Sequence, residues 1–151
     1  MSVQAPSELV DDLVRIRQWS QRAQGQDLPE VDTINAIVGD GAAVLVAGVA
    51  AAIRVDFRCR ITGCFLQEFD GTSGSVAIKV EQAAAGAAPA WTTITPTTAP
   101  AISSGRYFED PSCATWIQQD LARGDLLRFS VVSAATIMRI LIGLRIRRLE
   151  P

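Results

Sequence analysis

From Thr33 to its end the chain is written in short runs of alternating apolar and polar residues, broken by Gly, Asp, Ser and Pro. Over residues 50–61, Ile53, Val55, Phe57, Cys59 and Ile61 fall on one side, and Arg54, Asp56, Arg58 and Arg60 on the other. A period of two is what a strand needs to bury one face and wet the other. Val76, Ile78 and Val80 repeat the pattern around Ala77 and Lys79. So do Leu127, Phe129 and Val131, then Met138, Ile140, Ile142, Leu144 and Ile146. Several such runs with turn residues between them specify an all-β, antiparallel β-sandwich.

The pattern predicts strands over residues 33–38, 50–61, 64–69, 75–81, 126–133 and 137–147. Gly39-Asp40-Gly41, the run Asp70 to Gly74 (DGTSG) and Ser133-Ala134-Ala135-Thr136 read as turns. The last of these joins residues 126–133 to 137–147 as the strongest strand pair. Residues 83–105, rich in Ala, Thr and Pro, are too long for a hairpin loop. They read as a crossover between sheets, with 91–95 as a short strand.

Residues 7–24 read differently. Ser7 can cap a helix, Glu8, Asp11 and Asp12 fall in its first turns, and Arg15, Arg17 and Arg22 toward its end, as the helix dipole favours. Gly25 is a natural stop. Leu9, Leu13, Ile16 and Trp19 fall along one stripe, widened by Val10 and Val14. A helix this short is marginal alone in water, so the stripe must pack on something. It docks on the sandwich of its own chain, joins copies in a short bundle, or anchors the chain on another protein. Residues 1–31 thus form a helix-and-linker segment, and 32–151 the sandwich domain.

Composition narrows the function. Forty-eight per cent of residues are apolar and 20% charged, a thin polar surface for a monomer. The longest apolar stretch, residues 42–53, is too short to span a membrane. Apolar surface without a membrane segment implies a subunit interface, so a homo-oligomer is expected. A net charge of −2 gives no basic field to recruit nucleic acid. The acidic, polar N-terminus is not a signal peptide, and the chain is expected to be used without Sec export.

Catalytic chemistry finds little purchase. With no histidine in 151 residues, Ser-His-Asp and Cys-His mechanisms are excluded. Cys59, Cys64 and Cys113 lack CxxC spacing, and no histidine completes a zinc set, so they read as buried free thiols. Cys59 and Cys64 have opposite strand parity and should point to opposite faces. Glu109 and Asp110 are adjacent, which in a strand sends them to opposite sides and rules out a glycosidase pair on their own. Asp56, Glu68, Glu81 and Asp120 are left as acids that the fold alone can bring together. Arg123-Gly124-Asp125 spells an adhesion tripeptide, but its place before residues 126–129 makes it a turn. No cofactor or metal is expected. Candidate surface contacts are Arg54, Arg58 and Arg60 on one strand face, and Trp91 and Tyr107, aromatics able to stack on sugars.

The strand texts IVGDGAAVLVAGVAAAIRVDFRCRITGCFL, SGSVAIKVEQ and LARGDLLRFSVVSAATIMRILIGLRIRR, in that order, resemble a family of small jelly-roll structural proteins of tailed bacteriophages. The shared pattern is a G-D-G turn, an alternating strand ending I-T-G, a strand of the SVAIKV type, and L-x-x-G-D-x-L-R-F-x-V running into a long last strand. It covers residues 33–148. The resemblance implies a jelly roll and a non-enzymatic virion component: a capsid-decoration, head-fibre or tail-fibre module, commonly a homotrimer. Its expected partners are copies of itself and other virion proteins of head or tail. At a fibre tip, host-surface glycan is the alternative partner. Its expected location is the virion, assembled in the host cytoplasm. On this reading the stripe Leu9, Leu13, Ile16 and Trp19 makes the trimer contact or grips the particle.

Overall fold

Alternation along the chain is realised as strands throughout the described part of the molecule. The computed structural model describes residues 31–149. The expected helix over 7–24, with Leu9, Leu13, Ile16 and Trp19, lies outside the described residues. Ten strands follow in order: β1 (Val31–Val38), β2 (Gly48–Arg54), β3 (Cys59–Glu68), β4 (Gly74–Ala83), β5 (Thr92–Thr93), β6 (Ala101–Gly105), β7 (Tyr107–Asp110), β8 (Asp120–Leu121), β9 (Leu126–Ala135) and β10 (Ile140–Arg148).

They form two antiparallel sheets. The first has the order β1-β10-β3-β7, with β8 also on β3; the second has β2-β9-β4-β5, with β6 also on β4. β7 and β8 pair with successive parts of β3, residues 64–67 and 59–60. β5 and β6 divide β4 in the same way. Each sheet therefore has four strand positions, the outermost on one side being a broken strand.

The inward halves of the alternating runs meet between the sheets. Ile61, Leu66, Ile78, Phe129, Ile142 and Leu144 are at most 1% exposed. Each such side chain contributes about 1.5–3 kcal/mol by leaving water. The expected inward sets on β4, β9 and β10 are buried, except Met138, which is half-buried on the approach to β10.

Four local expectations are corrected. Residues 50–61 are not one strand: β2 ends at Arg54 in the second sheet, and β3 begins at Cys59 in the first. Val55, 2% exposed, sits at the corner, its N–H donating to the Asp125 carbonyl at 2.8 Å. Alternation survives the corner because both sheets turn the same set of side chains toward one core. For the same reason β9 and β10 are not a hairpin. β9 pairs with β2 and β4, while β10 pairs with β1 and β3. Residues 83–105 stay on the second sheet through β5 and β6, and the chain changes sheet only on entering β7.

The fourth correction concerns Cys59 and Cys64, which are 0% and 1% exposed and both belong to the core. Along β3, Ile61 faces Ile146 and Gly63 faces Arg145, leaving Thr62 without a partner residue on β10. This bulge adds one residue and resets the parity, so both thiols face inward.

Candidate interaction surface

The stretch from Gly41 to Ile53 contains no charged residue; Leu45, Ala51 and Ile53 pack against the core, and the fold leaves most of the rest exposed. The stretch forms the β1–β2 connection and β2, the outer strand of the second sheet on the side where β1 bounds the first. Val44, Val46 and Val49 are 46%, 81% and 60% exposed. On neighbouring strands Ile37 is 61% and Val132 51% exposed. The connection itself is tied down. Asp40 Oδ1 accepts N–H bonds from Ala42 at 2.8 Å and Ala43 at 3.3 Å, which hold its carboxyl below the ordinary range. Leu45 N–H donates to the Ile137 carbonyl at 2.9 Å. Val44 and Val46 therefore stand on an anchored loop, and Val49 on the strand that follows it.

The arginines do not form one stripe. Arg54 ends β2 and pairs with Asp56 at 3.1 Å; Arg60 lies on β3 in the other sheet, bonded to Asp120 and to Gln119 Oε1, both at 3.1 Å. Arg58 lies in the corner between them. β3 and β10 are neighbours, and on their outer face Arg60 is in register with Arg147. Farther along that face Arg145 pairs with Glu109, while Arg148 reaches Asp32 at 3.3 Å and stacks on the Phe57 ring at 4.2 Å. Charge is largely compensated within the sheet.

The aromatics are also separated. Trp91 precedes β5 at the second sheet, and the Arg128 guanidinium lies 4.4 Å from its ring centroid. Arg128 in turn holds Glu81 through two bonds, at 3.0 and 3.1 Å. Tyr107 opens β7 on the first sheet, is 52% exposed and donates its hydroxyl to Glu109. The fold does not bring the two rings to one surface.

The acids are likewise dispersed. Asp56, Glu68, Glu81 and Asp120 hold four different arginines: Arg54, Arg106, Arg128 and Arg60. Asp110 is committed to its turn, accepting N–H bonds from Ser112 at 3.2 Å and Cys113 at 3.0 Å. At the tripeptide, Gly124 has φ +91° and Asp125 is 7% exposed. The Asp125 carboxylate accepts from Ala122 N–H at 2.8 Å and from the Gln82 amide. It is a turn clamp, turned away from solvent. The thiols are free and buried, and burial raises Cys59 to about 11 and Cys64 to about 12, so both are neutral at pH 7.

Among the described residues no group of three or more Cys, Asp or Glu is placed to hold a metal ion. Among the described residues there is no helix long and apolar enough to cross a membrane. A cavity of about 340 Å³ opens beside Asp56, Phe57, Arg58, Ala122, Arg123 and Leu149. The buried side-chain atoms without a hydrogen-bond partner among the described residues, Trp116 Nε1 and Ser130 Oγ, are not in the lining of this cavity. Sequence reasoning noted the apolar stretch 42–53. It could not tell that the stretch would be exposed, because exposure depends on which strand ends a sheet.

No family model and no curated protein matches the chain. Among solved structures, the SPBc2 prophage-derived protein YomS is similar with a TM-score of 0.38 and 11% identity, over 79% of this chain and 97% of that one. A chain of infectious bursal disease virus, Gx strain, gives 0.39 and 12% identity over 80% and 32%. A chain of the cyanophage Pam1 capsid asymmetric unit gives 0.33 and 13% over 78% and 83%. A serine protease of Aeromonas sobria is found at this level too, with a TM-score of 0.34, so the likenesses carry no argument about what this chain does.

Proposed function

We propose that this chain is a non-enzymatic structural protein of a tailed-phage virion. It is a jelly roll that assembles with copies of itself as a capsid-decoration or head-fibre protein. The observation that carries this reading is the agreement between the resembling sequence blocks and the strand plan. The G-D-G turn closes β1, the I-T-G ending falls at the β3 bulge, and the SVAIKV text is β4. The L-x-x-G-D-x-L-R-F-x-V text spans β8 and β9, and the long last strand is β10. With β5/β6 and β7/β8 taken as broken single strands, eight positions in the orders β1-β10-β3-β7 and β2-β9-β4-β5 support the jelly-roll reading.

The work of such a protein is mechanical. A sandwich filled by close-packed side chains resists deformation, and its surface supplies contacts rather than chemistry. Three copies is the number the resemblance implies. The alternative, a tail-fibre or fibre-tip module binding host-surface carbohydrate, has the exposed Tyr107 ring in its favour, although Trp91 lies on the other sheet. Mass spectrometry of purified particles from the phage that encodes the chain tests the proposal. Detection at a copy number comparable to known shell or fibre proteins supports it; absence from intact particles refutes it.

A further inference from the structure

The two open sides of the sandwich are built in opposite ways. One ends in β5, β6, β7 and β8, none longer than five residues. These strands carry Thr92, Ser103, Ser104 and Glu109 at exposed positions, with Tyr107 the one large exposed ring among them. Short polar edge strands discourage association with another chain. The other side ends in β1 and β2, eight and seven residues long. β1 carries Asp32, Thr33 and Asn35 at exposed positions, but in β2 the one charge is Arg54, the last residue, and there is neither Lys nor Pro. Gly48 has only open space beside it, for an added Cβ would meet nothing within 4 Å. The exposed apolar side chains of β2 and the loop before it are a liability unless something covers them.

From this contrast we infer that the exposed band over residues 42–53, with Val132 beside it, is the contact between copies of this chain. The inference rests on the proposed reading of a self-assembling structural protein and names the surface through which it assembles. Two observations select a second copy as the occupant. First, the band has no charge to select an acidic or basic partner, and set against its own copy it brings no like charges together. Second, its extent is right. Val44, Val46, Val49, Val132 and the exposed alanines present on the order of 600 Å² of apolar surface, the upper end for a soluble monomer. That is most of the ~800 Å² each partner gives a standard interface. The register shift between Val49 and Ala51 breaks the regular ladder of β2, so the contact is made by side chains and not by extending the sheet.

Light scattering on the full chain tests this, with circular dichroism to verify folding. The unmodified chain is expected as an oligomer, and Val46→Asp/Val49→Asp as a folded species with the mass of one chain. Ile117→Asp, a charge placed at a 69% exposed position outside the band, is expected to keep the oligomer. A folded double variant that stays assembled overturns the inference and leaves the structural reading standing. An unmodified chain that is monomeric at tens of micromolar overturns the inference and the self-assembly in that reading together. Hydrogen exchange of the unmodified chain needs no variant. Protection over residues 42–53 that falls on dilution, in step with mass, supports the contact; protection unchanged while the mass falls overturns it.

Discussion

Glu68→Gln probes how the sandwich closes a corner. Glu68 ends β3, is 0% exposed, and its carboxylate lies under the turn that carries the chain to β4 in the other sheet. Oε1 accepts the Asp70 N–H at 2.6 Å. Oε2 accepts the N–H groups of Gly71 and Thr72 at 3.1 and 3.0 Å and the Arg106 Nε–H at 2.8 Å. A glutamine has one acceptor oxygen. Turned to keep the three bonds at Oε2, its NH₂ faces the Asp70 N–H, and one buried donor loses its partner for about 1–3 kcal/mol. The surviving bonds lose their charge assistance, which brings the expected cost to about 2–4 kcal/mol. For a chain of this length that is a fall in Tm of roughly 5–15 °C.

The pH dependence carries a second signature. Burial opposes the Glu68 charge, but the Arg106 hydrogen bond and the turn N–H groups outweigh it and hold the carboxyl below its ordinary range. A depressed folded-state pKa stabilises above the unfolded value of about 4.3, and that stability is lost as pH falls through the folded one. The gap between wild type and Glu68→Gln should therefore narrow in acid. Urea unfolding at pH 7 and below pH 4 measures both. A loss under ~0.5 kcal/mol at pH 7 would refute the reasoning, because exposed pairs are worth only that much.

Other outcomes follow from the same geometry. Gly39→Ala and Gly71→Ala both put a side chain at positive φ, +94° and +91°, but a Cβ at Gly39 runs into the Met138 carbonyl oxygen and one at Gly71 meets nothing within 4 Å. The second should cost about 1–2 kcal/mol and the first well beyond that; equal urea midpoints would contradict the packing at β1's end. Burial raises Cys59 to about 11 and Cys64 to about 12, whereas thiols of an unfolded chain titrate near 8.5. Stability from these thiols is thus complete below about pH 8.5 and lost as pH rises toward the folded values. A Cys64→Ala chain should show a flatter alkaline limb in thermal melts, and an unchanged limb would argue that the thiol is not so enclosed. With the contact between copies on the sandwich edge, Leu13→Asp should leave the oligomer mass unchanged in light scattering. A drop to one chain would move the contact to the N-terminal stretch.

How legible was all this in the sequence? The inward sets of β4, β9 and β10 were, because over 76–80, 127–131 and 140–146 the buried apolar residues can be read by counting every second position. Phe129 and Ile142 were assigned to the core on that ground alone, and both are fully buried. The turn role of Arg123-Gly124-Asp125 was readable too, since glycine and aspartate have local reasons to be there. The Glu68 clamp was not. Nothing in the text of β3 separates an acid that caps the following turn from one that faces water.

What the sequence by itself determined is the period, and with it the all-β class and the inward half of each run. Which strand lies beside which was decided only by the tertiary structure. Two sheets that share one core ask for the same alternation on either side of a corner, so residues 50–61 and the β9–β10 connection look continuous while the chain changes sheet. The surface was decided in the same way. Residues 42–53 are apolar in any fold, but Val44, Val46 and Val49 stand in the open because β2 ends its sheet. An edge is a property of the arrangement, and local composition carries no record of it.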